Sequence, residues 1–201
     1  MVISEERKFI FVAVPKTASA SIDQALLPFG DSPLRKHATA IQIQKAVPDY
    51  KNYFSFAVVR HPVDWLRSWH KFWMVRDDPA PSVRLRAERN RLPGSLTFEE
   101  FVSRTITGDH PWRDMGLQAS RVCNKRGDWA LLVTKLYRFD RLSEQWPEIL
   151  AKAGLPPGLE LPRANVSRDA GEPRELSAGC LTKVRERWAR DFELYDLAGR
   201  I

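Results

Sequence analysis

No glycine precedes Gly30 in this chain. That excludes, at the N-terminal loop, the glycine-rich cradle of nucleoside-triphosphate enzymes, which needs two glycines and a late lysine. Cysteine is equally scarce. Cys123 and Cys180 are the only two, far apart and in no metal-binding or redox spacing, so they read as reduced structural thiols. No apolar run approaches the ~18–20 residues of a membrane span. The N-terminus, M-V-I-S-E-E-R-K, has charge where a signal peptide needs an apolar segment. Internal repeats and low-complexity tracts are absent.

What is present suits one α/β domain of 201 residues, with 43% hydrophobic content for its core. The formal charge is +7. This balance favours polyanionic partners. A nucleic acid satisfies it, and so does an enzyme for a doubly anionic cofactor and an acidic glycan. Charge alone does not choose between them.

The chemistry starts early. Phe9 to Val14 is an apolar run that stops at Pro15, and Lys16 follows. Thr17, Ser19 and Ser21 alternate with Ala18 and Ala20, and an amphipathic helix begins near Ile22. A strand, a small polar loop and a helix start build an anion site, because free N–H groups and the helix dipole face the loop. A second unit lies at 53–73, Y-F-S-F-A-V-V-R-H-P-V-D-W-L-R-S-W-H-K-F-W. Phe54 to Val59 reads as a buried strand, Arg60 stands at its end, Pro62 opens a helix, and Ser68 lies eight residues past Arg60. Alternating strands and helices predict a mainly parallel sheet flanked by helices. Ligands of such sheets bind beyond the carboxyl ends of the strands. Both anion motifs fall at such ends.

Elsewhere the pattern predicts a helix from His37 to about Val47 and a strand from Ala130 to Tyr137. A capping box of Thr97 and Glu100 opens another helix. A helix over 143–153 carries Trp146, Ile149 and Leu150, with Gly154 at its C-cap. One final helix places Leu181, Val184, Trp188, Phe192 and Tyr195 on a stripe. Trp65, Trp69, Phe72 and Trp73 share helical spacing and read as core. The stretches 76–95 and 156–175 read as loops over the active site. The first holds Arg84, Arg86, Arg89 and Arg91, either a solvated face or a lid for an anionic acceptor.

The segments 15–21 and 60–68 resemble those of the sulfotransferases that use 3′-phosphoadenosine 5′-phosphosulfate (PAPS), and more narrowly the carbohydrate-type branch with P-K-T-A-S or P-K-T-G-T loops, in a bacterial-like short form. Leu96 to Phe101, Leu136 to Leu142 and Asp191 to Asp196 resemble further segments of that family. In one departure, Trp65 stands where many relatives carry an arginine. The resemblance implies a single P-loop-like domain over 1–201. It implies that Pro15, Lys16, Thr17, Ala18, Ser19, Ala20 and Ser21 hold the 5′-phosphosulfate, and that Arg60 and Ser68 grip the 3′-phosphate. Arg163 and Arg168 would close over the nucleotide.

Sulfuryl transfer asks for positioning and charge neutralisation. Lys16 is the cation for the leaving phosphate. Of the four histidines, His37, His61, His70 and His110, His37 lies between the two motifs and resembles the family's proposed base. Glu99 is a carboxylate alternative. The expected activity is transfer of a sulfuryl group from PAPS to a hydroxyl, on a small molecule or a glycan, releasing adenosine 3′,5′-bisphosphate (PAP). Neither a metal nor a nucleic acid is expected, and the short anchor-free form suggests a bacterial cytoplasmic enzyme. A nucleotide kinase of related topology would want a glycine-rich loop and a Mg²⁺-binding acid. A non-enzymatic polyanion- or RNA-binding module would want loosely distributed basic residues.

Overall fold

Among the described residues four strands form the sheet, in the order β1 (Val2–Ser4), β2 (Phe9–Val12), β3 (Phe54–Val59) and β4 (Lys135–Arg138). In this computed structural model the described residues are 1–74, 96–108, 116–125, 127–162 and 175–200. β2, β3 and β4 are parallel, and β1 pairs antiparallel with β2. Every residue of β2 is buried, as expected of a parallel strand covered on both faces. The sheet is thus mixed but mostly parallel, and helices flank it.

Among the described residues the helices are α1 (Ser19–Leu26), α2 (Ala40–Ala46), α3 (Pro62–Met74), α4 (Phe98–Thr107), α5 (Ala119–Val122), α6 (Leu142–Lys152), α7 (Ala178–Arg187) and α8 (Ala189–Ala198). Pro62 is the first residue of α3, where its fixed φ suits a helix start. Thr97 and Glu100 form the expected capping box on α4. Gly154, at φ 64°, ends α6 in a left-handed turn in which the Leu155 N–H reaches back to the Leu150 carbonyl.

Three expectations need correction. The helix after His37 starts at Ala40, because Thr39 and Gln42 make a capping box that fixes its first turn. The third long strand is only Lys135–Arg138, since Leu131 instead forms an isolated antiparallel bridge to Cys123. The closing helix is two, separated at Trp188, whose backbone leaves the helical region. Strand β1 is three buried residues long, too short for the sequence pattern to mark. Both cysteines are buried and free. Among the described residues, no helix is long and apolar enough to cross a membrane.

Two apolar clusters result. One surrounds the sheet and includes Phe9, Phe11, Phe56, Tyr137 and Ile149. The other joins α3, α4 and α7 through Trp65, Trp69, Phe101, Val184 and Trp188. The carboxyl ends of β2, β3 and β4 share one edge of the sheet. The register pairs Val59 with Arg138, so the next residues, Arg60 and Phe139, emerge side by side.

Candidate active site

The loop after β2 has an unusual backbone. Lys16 and Ala18 are left-handed, at φ 66° and 62°, while Thr17 between them is not. Alternating φ signs turn successive N–H groups toward one concavity, a geometry that binds anions. In a residue with a Cβ the left-handed region costs about 1–2 kcal/mol. The Thr17 hydroxyl donates to the Val14 carbonyl at 2.9 Å and braces the loop from within. Ser19 and Ser21 are buried at the start of α1. Ala18, the N-cap of α1, contributes no side-chain cap hydrogen bond to the helix start.

The Lys16 ammonium lies 4.5 Å from the Phe72 ring centroid and 5.9 Å from that of Trp69, both on α3. The aromatic stripe of α3 therefore has two uses. Trp65 and Trp69 are core, as expected, while half-exposed Phe72 seats the lysine.

Arg60 stands directly past β3. Its guanidinium stacks on the Phe139 ring, with Cζ 4.2 Å from the centroid. Burial pulls its pKa below the ordinary arginine value, although Asp64 opposes the shift. Its Nε is buried without a hydrogen-bond partner among the described residues. Among the described residues Arg60 makes no ion pair. A desolvated guanidinium with an orphan donor is costly unless an anion completes it. Ser68 is buried two turns along α3.

The backbone of Arg60 is held by the side chain of Gln118. Gln118 Oε1 accepts from the Arg60 N–H at 2.9 Å, and Nε2 donates to the Arg60 carbonyl at 2.8 Å. Asp191 on α8 accepts from the N–H groups of Gln118 and Ala119, at 2.9 and 2.8 Å. Burial pushes the Asp191 carboxyl up to about 6. Arg121, within α5, donates to the His37 carbonyl at 2.8 Å. The sequence pattern gave no sign of Gln118 or Arg121, and marked Phe139 and Asp191 only as parts of family-like segments.

His37 reaches the same edge from the segment before α2. Its Nδ1 lies 3.0 Å from the carbonyl oxygen of Ala13, the first residue past β2. A carbonyl only accepts, so Nδ1 carries the proton and Nε2 keeps its lone pair. Burial lowers the imidazole pKa, keeping the ring neutral near pH 7. The other described histidines are engaged elsewhere. His70 is buried, with Nε2 2.7 Å from the Leu96 carbonyl. His61 packs edge-on against Phe192 and Tyr195. Glu99 accepts from the Ser177 N–H and hydroxyl, which lowers its pKa. His110, Arg163, Arg168 and the cluster Arg84, Arg86, Arg89 and Arg91 lie outside the described residues.

The edge thus combines backbone donors of the loop, an ammonium, a guanidinium whose buried Nε lacks an acceptor among the described residues, and a neutral imidazole. It can neutralise two anionic groups and take up one proton. Among the described residues, no group of three His, Cys, Asp or Glu side chains is placed to hold a metal ion. A model of the sulfotransferase family matches residues 1–198. No curated protein matches the chain significantly. Nor does any solved structure. The match spans nearly the whole sequence, and the chain belongs to the sulfotransferase family.

Proposed function

We propose that this family member moves a sulfuryl group from PAPS to a hydroxyl, with a carbohydrate as the acceptor. The observation that carries the reading is Arg60: a half-buried arginine beside the anion loop, stacked on Phe139, with a buried Nε that has no partner and a guanidinium paired to no carboxylate among the described residues. The 3′-phosphate of PAPS would complete it. The carbohydrate assignment rests on the P-K-T-A-S loop alone.

When bound, PAPS supplies an activated sulfuryl group whose leaving group is a phosphate. The chain's residues then divide the work. The amides of residues 16–21 hold the anion, and Lys16 swings from Phe72 to neutralise charge at the leaving oxygen. Arg60 and Ser68 fix the nucleotide end. His37 Nε2 takes the proton of the acceptor hydroxyl, while the Ala13 carbonyl holds Nδ1–H and so the ring's orientation.

Calorimetry tests the reading. PAP should bind with at least ~10-fold preference over AMP, since a desolvated phosphate–arginine pair exceeds ~1.4 kcal/mol. Arg60→Ala should erase that preference. Equal binding of the two nucleotides by the unmodified protein would remove the 3′-phosphate assignment.

A further inference from the structure

Arg60 sits where the sheet has just ended. Its N–H and C=O have left the ladder, because the paired register stops at Val59 and Arg138 and the chain of β4 turns away over Phe139–Arg141. The primary amide of Gln118 replaces the missing strand. It offers one acceptor and one donor, at 2.9 and 2.8 Å, as a neighbouring peptide group would. Gln118 comes from 58 residues away in sequence. It is 1% exposed, and so is Asp191, whose two carboxylate oxygens fix the N–H groups of Gln118 and Ala119.

Once the backbone of Arg60 is fixed at both polar groups, its side chain leaves from a set point and lies on Phe139. A guanidinium recognises phosphate through its planar fork, so the direction in which it points decides its affinity. We infer that Gln118, braced by Asp191, is a positioning residue that aims Arg60 at the nucleotide's 3′-phosphate. The inference rests on the proposed role of Arg60.

The test measures the affinities of PAP and AMP by calorimetry in four proteins: unmodified, Arg60→Ala, Gln118→Ala and the double variant. Gln118→Ala should weaken PAP by about 5–10-fold and leave AMP unchanged. In the Arg60→Ala background the same substitution should change neither nucleotide, because contacts that act through one group are not additive. Equal losses for PAP and AMP would mark Gln118 as merely structural and overturn the inference. So would an unmodified PAP preference in Gln118→Ala. If Gln118→Ala does not fold, Gln118→Met keeps the volume without the hydrogen bonds and is read the same way. If instead Arg60→Ala keeps the full PAP preference, the premise about Arg60 itself falls, whatever Gln118 does.

Discussion

The indole Nε1 of Trp65 donates a 2.8 Å hydrogen bond to the carbonyl oxygen of Pro15. This fastens the first turn of α3 to the residue just before Lys16. Trp65 is 1% exposed, so the bond is dry. A family-like arginine would be expected at this position, and the tryptophan here braces the loop from below. Trp65→Phe keeps the ring's burial and removes the donor. It should cost about 1–3 kcal/mol, the usual penalty for a buried polar group left alone. Turnover should fall with it. Urea unfolding and initial rates check both, and a fully active, fully stable variant would show that the loop needs no such brace.

Lys16→Ala should lower turnover by roughly 10²–10³-fold, comparable to removing one preorganised donor at a developing charge. PAP lacks the sulfonate and should still bind. Steady-state rates with PAPS, set beside PAP calorimetry, separate the two effects. Turnover within a factor of a few of the parent would place Lys16 away from the leaving group.

Ala18 holds φ 62° with a methyl group in the way. Glycine has no such penalty, although it adds freedom to the unfolded chain worth about 0.4–1 kcal/mol. Ala18→Gly should therefore raise stability, by up to about 1.5 kcal/mol. The denaturation midpoint should rise at constant m-value. A lower midpoint would mean that the left-handed turn is not the loop's conformation in solution.

His37 makes the pH profile informative. Burial is the main cause that holds its pKa below the ordinary 6.5; the Ala13 hydrogen bond opposes it, and Lys36, Arg121 and the N-terminal amine add to it. A base with a lowered pKa is neutral at pH 7 and is lost only as the pH falls. The acidic limb of the rate profile should thus lie below 6.5. Stability follows the same sign, since the unfolded chain takes up the proton first on acidification. His37→Ala should cut turnover by about 10²–10⁴-fold, abolish that limb and leave PAP affinity alone. Arg121→Ala removes a nearby positive charge and should move the limb upward. A limb that survives in His37→Ala would assign the base to another group.

The parts of the site that the sequence made legible are those fixed by local order. A run of apolar residues ending at Pro15, and another ending before Arg60, placed both anion motifs at strand ends, and the sheet does bring them to one edge. Thr97 with Glu100, and Gly154, announced helix ends because capping acts within one turn. Gln118 and Asp191 were not legible. Their partners lie 58 and 73 residues away, and neither periodicity nor spacing marks a polar residue that will be buried by distant chain. The inward turn of the Thr17 hydroxyl was hidden for a related reason: composition gives the donor, and only the fold shows which way it faces.

The pairing of Val59 with Arg138 also sets what changes of chain length the site can survive. Deleting or inserting one residue within β4 would move its side chains to the opposite face, and Phe139 would no longer meet Arg60. Turns such as 156–158, which lie beyond the sheet, carry no such constraint. Length variation among descendants of this chain should therefore gather in its connections, while the count of residues between Lys135 and Phe139 stays fixed even where their identities drift.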